Sequence, residues 1–307
     1  MKKWNIDFFG HRKIYFSLSL ALIAAMLICL VLFGVSLDIQ FKGGALLTYS
    51  YTGDLDTSAF RAAAEEVLGQ SISVQESTDI ATGTHNIILS LPTSEGIDAD
   101  RQAELAEALS GQFSANEIQT SSISVVNPTI GGEFLAKCLV AIAFAALLMV
   151  LYVSFRFRKI GGWSAGVTAV IALFHDLLMV FAVFVIGRIA LNANFIAVCL
   201  TILGYSLNDT IVIYDRIREN RRIYGTAMPV EELVNLSLNQ SMTRSLLTSI
   251  TTVSAMVVVS IIALLYNVDT ILSFSFPMII GMVSGCYSSV CIAPALWTMW
   301  QKKKMAA

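Results

Sequence analysis

The chain has 307 residues and a formal net charge of −2; 56% of its residues are hydrophobic and only 14% are charged. Soluble domains carry about 25% charged residues, so this composition and a mean hydropathy of +0.71 predict an integral membrane protein. The five cysteines all lie in apolar runs and the three histidines are scattered, which argues against a disulfide framework and a metal site. No hydrolase, kinase or redox pattern is present, so we expect no enzyme, no cofactor and no nucleic-acid partner.

A short basic segment precedes the first apolar run, and it contains Lys2, Lys3, Arg12 and Lys13. Residues 14–35 are then apolar over about the length that a bilayer requires. A cleaved signal peptide has a shorter apolar core and a small-residue exit site, which are not found near Val35. We therefore predict that residues 1–35 form an N-terminal tail and an uncleaved first membrane helix.

Residues 36–133 form a polar region with 14 acidic and 3 basic residues. Alternating apolar residues predict strands at 44–51, 71–76, 86–91 and 118–126, and helical spacing predicts helices at 56–68 and 98–113. The segment 78–84 is typical of a turn. The resulting order, βαββαβ, predicts a ferredoxin-like α+β domain.

Five further apolar segments predict a helical bundle over residues 134–301, followed by a basic tail at 302–307. These segments are 134–153, 163–186, 195–214, 244–266 and 271–300. Residues 228–240 have the spacing of an amphipathic helix that lies along the membrane surface. The predicted fold is thus a polytopic α-helical membrane protein with six membrane helices, one before and five after the α+β domain.

The basic residues outside the polar region predict the topology of the chain. Nearly all of them lie near the N-terminus, after the second and fourth predicted spans, and in the C-terminal tail, whereas the turns after spans three and five contain only Arg188. The positive-inside rule therefore places both termini in the cytoplasm and the acidic domain outside.

An acid lies inside the fourth apolar segment. Asn208 and Asp209 precede Arg216 by about two helical turns, or roughly 10 Å. A carboxylate at that depth costs about 2.5 to 3.5 kcal/mol on insertion scales, so it usually faces a protein interior and serves ion or proton movement. A structural hydrogen bond between two helices is the alternative.

Span five begins with Arg244 and continues with three threonines on the same helical face, Thr248, Thr251 and Thr252. Since spans four and five are antiparallel neighbours, we expect Arg244 to approach Asp209. An acid that meets a cation in one state and a low-dielectric wall in another changes its proton affinity, which is the chemistry of a proton relay.

Span three carries His175 and Asp176 near the middle of the bilayer. His175 either titrates in a hydrated proton path or joins two helices as a hydrogen-bonded core residue, and the sequence leaves both readings open. In span six, Gly281 and Gly285 have the spacing of a close helix contact.

The fourth-span string Gly204-Tyr205-Ser206-Leu207-Asn208-Asp209-Thr210-Ile211-Val212, which runs into Asp215-Arg216-Ile217-Arg218-Glu219-Asn220, resembles the signature of the SecF family. Members of this family form the smaller half of the SecDF protein-export motors in the RND superfamily. Phe41-Lys42-Gly43-Gly44, His175-Asp176 and Arg244 with its threonines agree. Two departures stand out: Asp38-Ile39-Gln40-Phe41-Lys42-Gly43-Gly44 replaces the usual Asp-Phe-Thr-Gly-Gly pattern, and Ser245 replaces a threonine.

The resemblance implies a subunit of the bacterial cytoplasmic membrane that uses the proton motive force to assist Sec-dependent protein export. It implies SecD as the other half, the SecYEG channel with SecA as neighbour, YajC as a further candidate partner, and unfolded exported polypeptides as clients. By the same resemblance Asp209 would carry the proton and Arg244 would be its charge partner, and Asn208, Asp176, His175 and Thr248 would belong to the relay.

A half-transporter that exports a small solute or a lipid by proton antiport is the main alternative, because the same superfamily architecture serves efflux. A complete exporter of that kind carries two such halves, usually in one chain, whereas this chain has one half and an external domain of about 95 residues, near the small end of domain sizes. A scaffold that does not transport is a third hypothesis, and it predicts that Asp209→Asn has no effect.

Overall fold

The computed structural model describes residues 5–78, 84–91, 98–126, 128–225, 227–266 and 268–306. Within this part of the chain, six helical segments are long and apolar enough to cross a membrane, as predicted. Most of the predicted turn at 78–84 lies outside the described residues. In chain order the elements are α1 Arg12–Phe33, α2 Ile39–Lys42, β1 Gly44–Tyr51, α3 Thr57–Leu68, β2 Ser73–Thr78, β3 His85–Leu91, α4 Ala99–Gln112, β4 Gln119–Val126, α5 Pro128–Arg156, α6 Gly162–Ile186, α7 Ala193–Tyr224, α8 Val230–Leu265, α9 Asp269–Tyr287 and α10 Ala293–Ala306.

Between α1 and α5 the chain forms a four-stranded antiparallel sheet with the order β2-β3-β1-β4. The first strand therefore lies between the third and the fourth. The sequence of elements from β1 to β4 is the predicted βαββαβ. A split βαβ unit has this connectivity.

Alternation along β1 buries one side of the sheet. Leu47 and Tyr49 are almost fully buried, whereas the alternate residues Leu46, Thr48 and Ser50 are half-buried. Phe60 of α3 and Leu105 of α4 pack in the same core. Burial raises the pKa of the Tyr49 hydroxyl to about 12, because the charged form would lose its hydration.

Helix α3 has clear start and stop signals. Its N-cap, Asp56, accepts hydrogen bonds from the Ser58 hydroxyl and from the backbone N–H groups of Ser58 and Ala59. These bonds, the one from the Ser58 hydroxyl first, lower the pKa of Asp56. Gly69 ends the helix with φ of +66°, a conformation that glycine adopts without steric cost.

The interior of the bundle consists of α6, α7 and the last membrane segment. In their most apolar stretches 56%, 56% and 61% of the residues are buried. The corresponding fraction is 11% in α1 and α5 and 17% in α8. The apolar surfaces of these three outer helices are therefore available to lipid or to another polypeptide.

Small residues allow the inner helices to approach closely. A Cβ atom added at Gly281 would lie 2.7 Å from the Cγ1 atom of Ile202 and 2.8 Å from the Cγ2 atom of Val180. At Gly285 it would lie 3.0 Å from the Cβ atom of Ser206. Both contacts agree with the predicted packing role of the Gly-x-x-x-Gly pair.

Helix α8 is continuous over 36 residues. The prediction of a separate helix along the membrane surface at 228–240 is therefore wrong. The apolar residues of this segment are buried and pack against the bundle core: Val230, Leu233, Val234 and Leu238. An amphipathic pattern alone does not distinguish a helix that rests on lipid from one that rests on protein.

The chain before α1 is held against the first part of α8. The Asn235 side chain accepts a hydrogen bond from the Phe9 N–H at 3.0 Å and donates one to Asp7 at 2.7 Å. The Asn239 side chain accepts from the Ile6 N–H and donates to its carbonyl, both at 2.9 Å. The N-terminal segment and the start of α8 therefore form one unit.

A π-helical turn at Ser288–Ile292 separates α9 from α10. Pro294, which follows in the first turn of α10, has no N–H to donate to a regular helix. Such turns inside helices are frequent at functional sites. In this chain the turn carries Ser288, which contacts α6, and Ser289, which contacts α7.

Candidate functional site

Asp209 lies in the middle of α7 and is 5% exposed. Its Oδ2 atom is fully buried and has no hydrogen-bond partner in the part of the chain that the structure describes. A buried carboxylate without hydrogen bonds is costly unless an opposite charge lies nearby. Gain or loss of a proton at Asp209 therefore changes its interaction with charged neighbours. The carboxyl is thus sensitive to nearby charge.

Helix α8 provides the polar groups next to Asp209. The hydroxyl of Ser245, a residue that is 1% exposed, faces the carboxyl, although its oxygen completes no hydrogen bond of normal geometry within the described residues. The positive charge of Arg244 also acts on Asp209, but the two side chains form no ion pair in this part of the chain. The expected approach of Arg244 to Asp209 is therefore seen at longer range.

Other polar residues of α7 and α8 face away from the bundle. Asn208, Arg244, Thr248 and Thr251 are exposed, and we call these four residues the polar face. The hydroxyls of Thr248 and Thr251 each donate to a backbone carbonyl one turn earlier, at 2.9 Å. Polar side chains in a membrane usually face protein or water rather than lipid. The polar face is therefore better suited to protein or water than to lipid, and Arg244 also lines a cavity at one end of the bundle.

Asp176 on α6 is fully buried, and three serine hydroxyls donate to its carboxylate. Ser206 of α7 and Ser288 of the π-helical turn each lie 2.7 Å from its Oδ2 atom, and Ser284 of α9 lies 2.7 Å from its Oδ1 atom. These bonds replace the water that burial removes. They also join α6, α7 and the last membrane segment at one point.

His175 is 6% exposed and lies beside this carboxylate. Its Nδ1 atom is 3.3 Å from the Oδ1 atom of Asp176, and its ring centroid is 6.0 Å from that of Tyr287. Its Nε2 atom is buried and has no hydrogen-bond partner among the described residues. These contacts within α6 and with α9 fit the predicted role of a helix-linking core residue, and the proton-path alternative stays a prediction.

The Asp176 carboxyl of α6 and the Asp209 carboxyl of α7 lie at neighbouring levels of the bundle. Ser206, which binds Asp176, precedes Asp209 by three residues, or about 4.5 Å along the helix axis. Ser289 donates to the Ser206 carbonyl at 3.0 Å, and its oxygen is 2.8 Å from the hydroxyl of Thr210. A run of hydroxyl groups thus extends from Asp176 to the residue next to Asp209.

The motif residues Asp215 and Arg216 lie near one end of the bundle, which we call the basic end; it comprises the last turns of α7 and the α5–α6 turn. Asp215 forms ion pairs with Arg156 at 3.0 Å and Arg218 at 2.8 Å. Arg216 donates to Gln240 of α8 at 2.6 Å. Partly exposed pairs contribute little each, about 0 to 1 kcal/mol, so their main effect is to position α7 against α5 and α8.

Gly43 and Gly44, the other motif residues, connect α2 to β1. Their φ angles are +81° and +141°, in the region that other residues rarely adopt. The preceding Phe41 is 2% exposed, and its ring centroid lies 5.7 Å from that of Phe134 in α5. This motif forms a packed joint between the membrane bundle and the sheet.

Sequence reasoning assigned no role to the serines that bind Asp176. Ser284 and Ser288 are four residues apart and share one helical face, and Ser206 lies one turn before Asp209. The sequence signal for these serines is the helical spacing of hydroxyl residues in the spans next to Asp176.

Residues 106–303 match the family model described as protein export membrane protein SecD/SecF, C-terminal. The chain belongs to the SecD/SecF family. The matched range includes both buried carboxyl groups, the polar face and the basic end. With its six membrane-crossing segments, this SecD/SecF chain is a multi-pass membrane protein.

Named relatives agree with this assignment. The protein translocase subunit SecF of Thermobaculum terrenum is 35% identical over 310 residues, which cover 97% of this chain and 95% of the relative. The protein translocase subunit SecDF of Bacillus subtilis is 31% identical, with 99% of this chain and 39% of the relative covered. In the second case this SecD/SecF chain is similar to part of a longer polypeptide.

A solved structure has the same fold. The crystal structure of SecDF, a translocon-associated membrane protein, from Thermus thermophilus superposes with a TM-score of 0.80 at 27% identity. The match covers 97% of this SecD/SecF chain and 39% of that protein. Our chain thus spans about two-fifths of the SecDF proteins that it resembles.

Proposed function

We propose that this chain is the SecF subunit of a SecDF complex that uses the proton motive force to assist Sec-dependent export of proteins across the bacterial cytoplasmic membrane. The main support is the position of Asp209, a buried carboxyl in a membrane helix with an arginine charge acting on it from the neighbouring helix. Intramembrane acids in such surroundings mark ion or proton pathways.

The coupling follows from the charge of Asp209. When the carboxyl is ionised, it attracts Arg244 of α8; when it takes up a proton, that attraction is lost. Protonation at α7 thus changes the force that holds α7 and α8 together. A proton that crosses a potential of about 100 mV releases roughly 2.3 kcal/mol, which is enough to bias a movement between two arrangements of these helices.

A route for protons from one side is consistent with the cavity at the basic end. The cavity has a volume of about 1030 Å³, and Val212, Ser241 and Arg244 contribute to its lining. Val212 lies about one helical turn after Asp209, and Ser241 lies about one turn before Ser245. Water in this cavity can therefore come within about one turn of the carboxyl.

SecD is the proposed partner half. The relative from Bacillus subtilis and the protein from Thermus thermophilus are both named SecDF, and both are more than twice as long as this chain. The polar face gives SecD a surface to cover, since Asn208 and Thr251 are poorly suited to lipid. The SecYEG channel with SecA, YajC and unfolded exported polypeptides belong to the same proposal.

The topology is part of the proposal. By the positive-inside rule, the excess of basic residues would place the basic end and both termini in the cytoplasm. Residues 36–133 would then be an extracytoplasmic ferredoxin-like domain, for which the sheet order β2-β3-β1-β4 is the structural support. Residues 1–35, 134–301 and 302–307 would form the first membrane helix with its N-terminal tail, the five-helix bundle and the cytoplasmic tail.

Secretion of a reporter protein tests the function. The cell's own copy is replaced by Asp209→Asn, and the membrane levels of the chain and of SecD are measured in parallel. We expect export to fall to the level of a strain without the chain, while both proteins accumulate normally. Asp209→Glu keeps an acid at this position and should retain part of the activity.

Thr201→Val is a matched control, because Thr201 is an exposed polar residue of the same helix whose hydroxyl bonds only its own backbone. It should leave export unchanged. Normal export with Asp209→Asn would show that Asp209 is a structural contact. If export is normal but the cells become sensitive to small toxic solutes, the solute-export alternative is supported instead.

A further inference from the structure

The cavity at the basic end is strongly cationic. It lies between the last turns of α7, the first part of α8 and the turn after α5, and its volume of about 1030 Å³ is at the upper end of the roughly 300 to 1,000 Å³ of small-molecule sites. Two acidic residues, Asp215 and Glu219, line it. Six basic residues line it as well: Lys159, Arg216, Arg218, Arg221, Arg222 and Arg244. The lining therefore has four more positive than negative charges.

The two acids are already paired. Asp215 binds Arg156 and Arg218, and Glu219 binds Arg216 at 2.6 Å. The remaining four cations, Lys159, Arg221, Arg222 and Arg244, have no ion-pair partner among the residues that the structure describes. Arg221 and Arg222 also lie in the last turn of α7, where a helix favours cations.

The helix end does not account for Lys159 and Arg244, the other two cations without an ion-pair partner in the described part of the chain. Lys159 lies in the turn between α5 and α6, and Arg244 lies inside α8, away from its ends. Unpaired cations on three separate elements, directed into one cavity, raise the local potential and attract an anion. Guanidinium groups match the planar, two-oxygen edge of a phosphate especially well.

The position of the cavity favours a lipid. Trp163 follows the α5–α6 turn and is 64% exposed, and Trp300 near the end of α10 is 41% exposed. Exposed indole rings are typical of the membrane–water interface, where phospholipid headgroups lie. Basic pockets between membrane helices on the cytoplasmic side bind anionic headgroups.

We infer that the cavity at the basic end binds a phosphate-bearing anion, and that the headgroup of an anionic phospholipid is its main source. This inference shares Arg244 and the cavity with the proposed proton route, but it requires neither titration of Asp209 nor a partner half, and the residues that test it, Arg221, Arg222 and Lys159, lie outside the proposed relay.

Native mass spectrometry of the purified 307-residue chain tests the inference in three arms: phosphatidylglycerol, phosphatidylcholine and inorganic phosphate. We expect the chain to retain phosphatidylglycerol in preference to phosphatidylcholine. One basic residue near the headgroups is worth about fivefold in affinity, so Arg221→Gln with Arg222→Gln should weaken phosphatidylglycerol binding roughly 30-fold. Lys303→Gln with Lys304→Gln removes the same charge from the exposed tail and should change it less than about twofold.

The arms also separate the two sources of phosphate. Binding of phosphatidylglycerol that inorganic phosphate does not displace identifies the lipid, whereas binding of inorganic phosphate alone identifies a free anion; either result supports the site. Equal retention of both lipids without phosphate binding overturns it, as does an equal effect of the two double variants.

Thermal unfolding shows whether the arginine variant is folded. If it is not, Lys159→Gln on a separate element decides, with an expected loss of about fivefold. No loss with a folded Lys159→Gln overturns the inference. Neither result bears on export by Asp209→Asn, so failure of this site and failure of the proposed function are distinguishable.

Discussion

Ser206 on α7 donates a hydrogen bond to Asp176 on α6, and the two oxygen atoms are 2.7 Å apart. Because Asp209 follows about one turn later on the same helix, the level of α7 that carries the relay candidate is fixed against α6. Ser284 and Ser288 fix the last membrane segment to the same carboxylate. Any movement that a proton causes at Asp209 is therefore more easily taken up by α8, the less buried neighbour.

Loss of this bond should destabilise the bundle. Hydrogen bonds to a charged group contribute about 1.5 to 3 kcal/mol, so we expect Ser206→Ala to lower the free energy of unfolding by about that amount. Thermal unfolding of the detergent-solubilised chain measures the change. Ser254→Ala, at an exposed position of α8, is the control and should stay within about 0.5 kcal/mol. Equal effects of the two substitutions would contradict the role of Ser206.

Gly281, which is packed against neighbouring helices, and Gly204, which is exposed, should differ in their tolerance of an added methyl group. Gly281→Ala places a Cβ atom against Ile202 and Val180, and we expect a loss of about 1 to 3 kcal/mol. Gly204→Ala adds a Cβ atom with no neighbour within 4 Å and should be neutral or stabilising in the isolated chain. Thermal unfolding compares them, and similar stability of both variants would refute the close packing at Gly281.

High pH should destabilise the small α+β domain. The pKa of Tyr49 is raised to about 12, above an unfolded value of about 10. The folded state therefore holds the proton more tightly, and the stability that this adds is complete below about pH 10 and is lost as the pH rises toward 12.

Tyr49→Phe removes the titrating group and keeps the ring. The difference in unfolding free energy between the natural chain and Tyr49→Phe should be constant below about pH 10 and should shift in favour of the variant above it. Chemical unfolding at a series of pH values measures this difference. A difference that does not change with pH would show that burial does not perturb Tyr49.

The polar face should contact a polypeptide. A photo-crosslinking amino acid at Thr251 is expected to form a covalent product with SecD in cells that produce both proteins, because polar residues at this depth face protein rather than lipid. Leu20 of α1, which is 68% exposed in an apolar surface, is the control position and should give no such product. Equal product at both positions would show that crosslinking does not report the polar face.

Hydrophobic pattern alone predicted the six membrane segments and the βαββαβ order, because a bilayer demands long apolar runs and a half-buried strand demands alternation. The acid in α7 and the arginine in α8 were likewise visible, since charges are rare in such runs. The rotation of each helix about its axis was not visible. For that reason only the structure shows that Asn208 and Thr248 are exposed and that three serines surround Asp176.

Two features depended on tertiary contacts rather than on pattern. The first turns of α8 carry the same amphipathic spacing as a helix on a membrane surface, and only their burial against the bundle decides between the two. The π-helical turn at Ser288–Ile292 changes the hydrogen-bond register within one apolar segment, and hydropathy does not report register.

The unbroken length of α8 has a mechanical consequence. Thirty-six residues extend over about 54 Å, whereas the hydrocarbon layer is only about 30 Å thick. One end of this rod is fastened to the N-terminal segment through Asn235 and Asn239, and its middle carries Ser245 and Arg244 beside the buried acid. A small tilt of α8 about its fastened end therefore grows along the rod, so that a local event at the level of Asp209 displaces the far end of α8 the most.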